Sequence, residues 1–352
     1  MHARDPYKTA SYEYVLPPEL IAQTPADRRD ASRLLAVGAD GALEHLRFSD
    51  LGSLLRPGDL LVANDTKVLR ARFHPKRKGG GAAQVLLLHS LDRPGEWLAM
   101  ARPGKRIRPG DRLSLSSSAG IEVIDWAEGG NRVVRFFGVE AAEAMQRFGH
   151  VPLPPYIHAT PPNASERYQT VYARTEGSVA APTAGLHFTD GLLHELQAAG
   201  IGWTTITLDV GAGTFRPVSA DDVREHFMHA ERYTIGEATA AAIARTRAGG
   251  GRIVAVGTTS LRALEDAWRA SGDGILRPGS RWTSLFVHPP ATVSSVDALI
   301  TNFHLPRSTL LMLVCAFAGT QVVLDAYAEA VRRGYRFYSF GDAMFFMRAH
   351  ER

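Results

Sequence analysis

A glycine turn at Gly257 opens the part of the sequence best suited to binding an anion. It follows the apolar stretch 253–256, which predicts a buried strand. The helix expected after the turn covers 259–270, so Thr258 lies in the turn, Thr259 and Ser260 begin the helix, and Arg262 follows them. Free backbone N–H groups and the positive end of the helix dipole favour a carboxylate or phosphate there. The arginine could add a bidentate contact. Ordinary capping by Thr259 or Ser260 is the open alternative.

A second turn, residues 210–215, contains Gly211, Gly213 and Thr214 directly after Asp209. Glycines let a ligand approach the backbone closely. The turn is not a dinucleotide fingerprint, because the third glycine and an immediate helix are both missing. Alone, this motif predicts little.

A third turn holds Thr183 and Gly185 shortly before His187. Small residues followed by an imidazole indicate a cramped pocket wall with a group that titrates near neutral pH. A lone histidine also fits a purely structural role, so both interpretations stay open.

Two further groups of polar residues follow expected strands. Asn302 and His304 come after a strand expected near 296–300, and Asp342 follows one expected at 336–340. Strand ends are where α/β proteins bind ligands, although an asparagine turn or a capping carboxylate would explain the same residues. His226 and His229 have no third ligand at a recognisable spacing, so no metal site is expected.

Two patterns of predicted secondary structure indicate how the chain is organised. Residues 60–150 show six or seven short strands separated mostly by Pro-Gly and Gly-Gly turns, a pattern typical of a small barrel or sandwich. Beyond them, strands alternate with helices, one of them capped by Thr189. We therefore predict a layered α/β domain with an inserted small β-barrel domain. The catalytic domain comprises 1–59, with a hairpin at Asp40-Gly41, and 151–352; the barrel comprises 60–150.

Composition excludes several classes of protein. Of the 352 residues, 45% are hydrophobic and 22% charged, which favours a folded chain with a sizeable core over a disordered one. The single Cys315 excludes an internal disulfide and a cysteine-rich metal site, so a reducing cytoplasm fits. Residues 1–14 do not resemble a signal peptide, and the longest apolar run, 310–319, is about half a membrane span. No membrane partner is expected.

Charge is distributed unevenly along the chain. The net charge is +4, but residues 60–112 contain twelve Lys and Arg against four Asp and Glu. This basic segment predicts a polyanionic partner for the barrel domain, with a solvated basic surface as the alternative.

The motifs together resemble a known family. They are DRRDASRL (27–34), PGDL (57–60), NDT (64–66), GHVPLPPYI (149–157), ERYQTVY (166–172), APTAGLHF (181–188), GAGTF (211–215), GTTSLR (257–262), TNFHLPRS (301–308) and GDAM (341–344). In this order they resemble the S-adenosylmethionine:tRNA ribosyltransferase-isomerases of queuosine biosynthesis, over about residues 11–347. Each motif alone is weak; the set is specific.

The resemblance implies that S-adenosylmethionine is a co-substrate whose ribosyl part is transferred, and that no cofactor is permanently bound. The implied acceptor is 7-aminomethyl-7-deazaguanine at the wobble position of a tRNA anticodon, and the products are epoxyqueuosine, adenine and methionine. It also implies an α/β domain with a β-barrel and a cytoplasmic location. The oligomeric state is left open, with a monomer favoured.

The resemblance and the residue types together suggest roles. We expect His187 and His304 to transfer protons. Asp65, Asp209 and Asp342 are the next candidates for that role. The expected donor contacts are Thr183, Gly185, Gly211, Gly213, Thr214, Thr258, Thr259, Ser260, Arg262 and Asn302. Many relatives have histidine where this chain has Asp209, which argues against an essential base there or marks a tolerated change.

Two other functions remain possible from sequence. An S-adenosylmethionine-dependent RNA methyltransferase would give methylated RNA and S-adenosylhomocysteine, but no glycine-rich first strand with an acidic second-strand end lies near the N-terminus. A non-catalytic tRNA-binding protein would bind in a salt-sensitive way without consuming the donor.

Overall fold

The computed structural model describes residues 4–158, 163–211 and 218–348, which contain seventeen strands and seven α-helices. The strands are β1 (Arg33–Val37), β2 (Leu43–Arg47), β3 (Leu60–Asn64), β4 (Thr66–Val68), β5 (Arg72–Phe73), β6 (Gln84–Ser90), β7 (Glu96–Arg102), β8 (Arg112–Ser114), β9 (Gly120–Trp126), β10 (Arg132–Phe137), β11 (Thr175–Ser178), β12 (Gly202–Leu208), β13 (Glu231–Ile235), β14 (Ile253–Val256), β15 (Gly279–Thr283), β16 (Ala298–Asn302) and β17 (Ala343–Met347). The helices are α1 (Ala141–Phe148), α2 (Ala164–Arg167), α3 (Asp190–Ala198), α4 (Glu237–Ala248), α5 (Thr258–Ser271), α6 (Thr309–Ala318) and α7 (Thr320–Arg332).

A nine-stranded sheet organises the larger part of the protein, in the order β15-β13-β12-β3-β14-β16-β17-β1-β2. Strands β12, β3, β14 and β16 are parallel, so their carboxyl ends meet at one edge. Strand β17 is antiparallel to β16 and parallel to β1, so both of these strands begin at that edge. We call this side of the sheet the carboxyl edge.

Both faces of this sheet are covered. Leu60 of β3 belongs to a core that includes Ile243 of α4, whereas the next residue, Leu61, belongs to a core that includes Leu192 of α3. Successive strand residues point to opposite faces, so a strand buried on both sides is apolar throughout. The expectation of a mixed α/β protein is confirmed.

The second large sheet has six antiparallel strands in the order β5-β6-β7-β10-β9-β8. It has its own core, which includes Phe73, Val85 and Val123. Lys76, just after β5, and Ser114 of β8 exchange two backbone hydrogen bonds of 2.9 and 2.8 Å. This bridge draws the first and last strands of the sheet together.

Strand β3 corrects the boundary expected at residue 60. Residues 60–64, which we assigned to the barrel segment, hydrogen bond between β12 and β14 in the nine-stranded sheet. The run is apolar at every position except Asn64 and is buried throughout, as suits a central parallel strand. Its neighbours are distant in sequence, so local pattern alone did not reveal them.

The last strand lies later than expected. Residues 336–340 are not a strand; Tyr338 has a φ of 70°, and β17 begins only at Ala343. A left-handed residue interrupts extended pairing. The aromatic residues of this run are buried in the core, so their pattern resembles that of a buried strand. Two other predictions are confirmed: β1 and β2 form the hairpin at Gly41, and Thr189 accepts the Leu192 N–H as the cap of α3.

Helices α6 and α7 meet at Gly319 with a bend of 116°. Within the described ranges, no single helix is long and apolar enough to cross a membrane. The two helices of this bent pair have the length and composition of a membrane span only when they are taken together. Nine of the ten residues of α6 are buried in the protein's own core.

Candidate active site at the carboxyl edge

The carboxyl edge brings together polar residues that are far apart in sequence. Strands β3, β12, β14 and β16 lead there to Asp65, Asp209, Thr258 and Asn302, and β17 starts just after Asp342. His187 reaches the same edge from the short 3-10 helix Thr183–His187 and contacts the end of β16. The convergence follows from the parallel strand order, as strand-end motifs in the sequence suggest.

His187 is held at both ring nitrogens. Its Nδ1 lies 2.7 Å from Ser32 Oγ, and its Nε2 lies 3.0 Å from the amide nitrogen of Asn302. The same amide nitrogen donates to the carbonyl of Tyr338 at 3.2 Å, which fixes the amide orientation. Nε2 therefore accepts, and the ring proton resides on Nδ1 and is donated to Ser32. Phe48 stacks on the ring with centroids 5.0 Å apart.

Burial determines the charge of His187. It lowers the pKa of the imidazole to about 3, and the cations Arg29 and Arg336 act in the same direction. His187 is therefore neutral near pH 7. Its one basic lone pair is occupied by Asn302, so it can accept a proton only if that hydrogen bond opens.

His304 is also buried and neutral. Burial alone lowers its pKa to about 3. Its Nε2 lies 2.7 Å from Thr301 Oγ1, and its backbone N–H and carbonyl bond to the hydroxyls of Tyr327 and Tyr14 at 2.9 and 2.5 Å. These contacts fix the chain after β16.

Asp342 has a carboxylate that is already engaged. It accepts hydrogen bonds from the backbone N–H groups of Arg33 and Arg336 at 2.9 and 2.8 Å, and the Arg33 guanidinium pairs with it at 3.0 Å. These contacts join the starts of β1 and β17.

Asp65 is similarly occupied by neighbouring hydroxyls. Thr207 and Thr205 of β12 donate to its two oxygens at 2.7 and 3.0 Å. The carboxylate thus fastens the end of β3 to β12.

Asp209 differs from the other candidates because it lines a cavity of about 820 Å³ between the carboxyl edge and the six-stranded sheet. Of the five proton-handling candidates, all within the described chain, Asp209 alone lines it. Its opposite wall includes Arg70, His89 and Trp97. Burial raises the pKa of Asp209, and the nearby cation Arg232 opposes the rise. A carboxyl group with a raised pKa in a cleft is suited to proton transfer.

Glycines leave room for side chains around the site. A Cβ on Gly177 would lie 2.3 Å from Asp209 Oδ1, and one on Gly185 would lie 1.9 Å from the Tyr172 hydroxyl. Any larger residue would push these groups away. Gly213 and Thr214 lie outside the described residues, whereas Thr183 and Gly185 are part of the 3-10 helix that positions His187.

The helix α5 begins without a side-chain cap. Its N-cap is Gly257 with a φ of 92°, and Ser260 donates to the carbonyl of Val256 at 2.8 Å instead of capping. The capping alternative is therefore wrong for Ser260. Within the described ranges, no side chain at the N-cap accepts a hydrogen bond from the first backbone N–H groups of α5. These N–H groups and the positive end of the helix dipole are therefore suited to an anion.

Arg262, one turn into α5, is paired with an acidic residue. Its guanidinium forms a buried ion pair with Glu231, and Glu231 Oε1 accepts the N–H of Gly211 at 2.8 Å. Burial lowers the pKa of Arg262 to about 10, so it remains charged near pH 7. The pair connects α5 to Gly211.

Four residues at the site escaped sequence reasoning: Ser32, Arg232, Glu231 and Trp282. Ser32 lies within the 27–34 motif, which offered a signal. Arg232 lies on β13 and Trp282 on the edge strand β15, two short strands with no distinctive local pattern. Within the described ranges, no group of three or more His, Cys, Asp or Glu is placed to hold a metal ion.

An α/β sheet with polar groups at its carboxyl edge, facing a basic antiparallel sheet across a cavity, is typical of an enzyme with a partly anionic substrate. The family model described as Queuosine biosynthesis protein matches residues 9–346. A protein of Symbiobacterium thermophilum named S-adenosylmethionine:tRNA ribosyltransferase-isomerase is 51% identical over 96% of this chain and 99% of its own length. One of that name from Gloeobacter violaceus is 52% identical over 96% and 95%.

A solved structure gives the same result. The crystal structure of an S-adenosylmethionine tRNA ribosyltransferase from Thermotoga maritima is 35% identical, covers 96% of this chain and 100% of its own, and has a TM-score of 0.54. The chain belongs to the queuosine biosynthesis protein family, as the motifs predicted.

Proposed function

We propose that this protein transfers and isomerises the ribosyl moiety of S-adenosylmethionine onto 7-aminomethyl-7-deazaguanine at the wobble position of tRNA. The products are epoxyqueuosine-tRNA, adenine and methionine. Support comes from family membership and from about 50% identity to relatives named for this activity over nearly their whole length. S-adenosylmethionine is a co-substrate in this proposal, and no cofactor stays bound.

The structural observation that carries the proposal is the position of Asp209 in the 820 Å³ cavity. That volume lies within the range of about 300–1,000 Å³ typical of small-molecule sites. One wall belongs to the α/β sheet and the other to the sheet that carries the basic segment. A small donor and one nucleotide of an RNA can therefore meet there.

Proton removal from the ribose carbon next to the sulfonium begins the proposed reaction. The positive sulfur makes this carbon acidic, so a positioned base is sufficient. Adenine is then eliminated, the aminomethyl nitrogen attacks, and the ring rearranges to the epoxide as methionine leaves. The protein must position the reactants and exclude water.

We assign the role of general base to the Asp209 carboxylate, ahead of His187 and His304. The buried, neutral His187 and His304 each have Nε2 engaged by a neighbour, whereas Asp209 faces the cavity. Burial raises the pKa of Asp209, so its carboxylate is a stronger base than that of an exposed aspartate. Asp65 and Asp342 then act by fixing strands.

Donor binding is assigned to the rest of the carboxyl edge. Thr258 and Asp209 follow strands two positions apart, so they are separated by about 10 Å across the sheet. The uncapped α5 terminus is suited to the methionine carboxylate. Asn302 is 2% exposed, and its Oδ1 has no hydrogen-bond partner among the described residues, so it can accept from the methionine ammonium.

The six-stranded sheet is proposed to bind the tRNA. Its basic segment provides charge for phosphates. We also propose that it closes as the small inserted barrel, with the Lys76–Ser114 bridge as the joint between its ends. Because tRNA is the substrate, we place the reaction in the cytoplasm, with the protein acting as a monomer.

Product analysis tests the proposal. The purified protein is incubated with S-adenosylmethionine and tRNA carrying the deazaguanine base, and the small molecules are identified. Adenine and methionine in equal amounts support it. S-adenosylhomocysteine would instead indicate a methyltransferase, and tRNA binding without donor turnover a non-catalytic binding protein.

A further inference from the structure

Trp282 is unusual among the large apolar side chains of this protein. It lies on β15, an edge strand of the nine-stranded sheet, and is 63% exposed. It also lines the 820 Å³ cavity. An exposed indole that borders a binding cavity commonly serves recognition, since aromatic rings stack on ligands at little entropic cost.

The strand register places Trp282 in a row with Arg232 and Asp209. Trp282 of β15 lies directly opposite Arg232 of β13. Arg232 in turn lies opposite Asp209, whose backbone N–H donates to the Arg232 carbonyl at 2.9 Å. Directly opposed residues of antiparallel strands project from the same face. The side chains of Asp209, Arg232 and Trp282 therefore lie side by side across three neighbouring strands.

The row has a direction. Adjacent strands are about 4.8 Å apart, so Trp282 lies roughly 10 Å from Asp209 along the wall of the cavity that both residues line. Arg232 is exposed between them. If the reacting nucleobase of an RNA lies at Asp209, the next nucleotide of the chain lies beside Arg232 and Trp282. Its phosphate can then contact the guanidinium, and its base can contact the indole.

We propose that Trp282 stacks on an unpaired base of the tRNA anticodon loop adjacent to the modified base, while Arg232 contacts the phosphate between them. The inference rests on the proposed function. Single-stranded RNA is commonly recognised in this way, by aromatic stacking of splayed bases together with cations on the backbone. The cationic neighbour favours an RNA over a second copy of this chain pairing with the exposed β15 edge.

Variants of Trp282 test the proposal by RNA binding that needs no turnover. We would measure the Kd of an unmodified anticodon stem-loop for the wild type and for Trp282→Ala, Trp282→Leu and Trp282→Phe. Stacking on a base typically corresponds to about 5- to 150-fold in affinity. The Ala and Leu variants should lose binding by such a factor, and Phe, which keeps an aromatic face, should retain most of it.

Trp126 provides a matched control. Its indole is 51% exposed, but the Arg132 guanidinium covers its face at 3.7 Å, and it does not line the cavity. Trp126→Ala should bind the stem-loop like the wild type. Melting temperatures of all variants confirm folding. In steady state, Trp282→Ala should raise KM for tRNA and leave KM for S-adenosylmethionine unchanged.

Two results would overturn the proposal. One is equal stem-loop affinity in Trp282→Ala, Trp126→Ala and wild type. The other is a change in the oligomeric state of Trp282→Ala, measured by its mass in solution, with no loss of RNA binding. That result would show that the β15 edge serves self-association. Failure of wild-type protein to release adenine would contradict the proposed function instead, and the binding result would still decide the role of Trp282.

Discussion

The amide nitrogen of Asn302 donates to Nε2 of His187 at 3.0 Å and, by its second hydrogen, to the carbonyl of Tyr338 at 3.2 Å. This pairing makes the histidine an acceptor at Nε2. Both ring nitrogens are thereby engaged, and burial keeps the imidazole neutral near pH 7. His187 is consequently a positioning residue in this account.

Replacing Asn302 by aspartate should raise the pKa of His187 and favour its protonated form. A carboxylate beside Nε2 attracts a proton, so the His187 pKa should rise from about 3 towards or above its ordinary value. NMR titration of the His187 ring resonances in the wild type and in the variant measures the change. An unchanged His187 titration in Asn302→Asp would contradict the hydrogen-bond arrangement.

The two buried histidines should make the protein sensitive to acid. Their pKa values are about 3 in the fold and about 6.5 in the unfolded chain, so the unfolded state binds more protons between these limits. The stabilisation is fully present above pH 6.5. It should decline as the pH falls towards 3, by about 1.4 kcal/mol per pH unit for each histidine.

Urea unfolding at a series of pH values measures this decline. Replacing His187 by glutamine should reduce the slope of unfolding free energy against pH by about one proton. An identical slope in wild type and His187→Gln would show that the buried imidazole does not contribute. His194→Gln, which changes an exposed histidine, is the control.

Asp209 should control the acidic limb of the pH–rate profile. Asp209→Asn should reduce kcat by about 10²- to 10⁴-fold, the usual contribution of a general base. The base must be ionised, so kcat rises with pH through the Asp209 pKa. Arg232 lowers that pKa, and Arg232→Gln should therefore move the limb to higher pH at saturating tRNA.

Arg281→Gln is the control for that experiment, since Arg281 lies on the neighbouring strand and faces Asp266 at 3.8 Å. Its pH profile should match the wild type. Full activity in Asp209→Asn, or an unmoved limb in Arg232→Gln, would return the base role to one of the histidines.

The pair Arg262–Glu231 should behave as a buried ion pair. Arg262→Met removes the guanidinium that faces the buried Glu231 carboxylate and should reduce the free energy of unfolding by about 3–5 kcal/mol. Adding Glu231→Gln removes that charge but keeps an acceptor for the Gly211 N–H, so the double variant should regain part of the loss. Urea unfolding measures both, and simple additivity of the two losses would contradict coupling.

Sequence reasoning identified the residues at the carboxyl edge but not which of them face the cavity. The strand-end positions of Asn302 and Asp209 follow from local patterns, and parallel strands necessarily bring such ends together. The pairing of His187 with Ser32 and Asn302 joins segments more than 100 residues apart. Such contacts depend on the assembled core, and no local periodicity predicts them.

Two strands at one end of the nine-stranded sheet show the same limit. Strands β13 and β15 are short and were not predicted, and their register alone aligns Trp282 with Arg232 and Asp209. Strand pairing is set by long-range packing and not by propensity. Strand β3 was recognised as a strand but assigned to the wrong sheet for that reason.

A double-label transfer experiment tests the central claim most directly. S-adenosylmethionine labelled with carbon-14 in the ribose and tritium in the methyl group is incubated with the protein and tRNA carrying 7-aminomethyl-7-deazaguanine. The account predicts that carbon-14 enters the tRNA and that tritium is released in methionine. Tritium in the tRNA, with carbon-14 left in a small nucleoside, would contradict it.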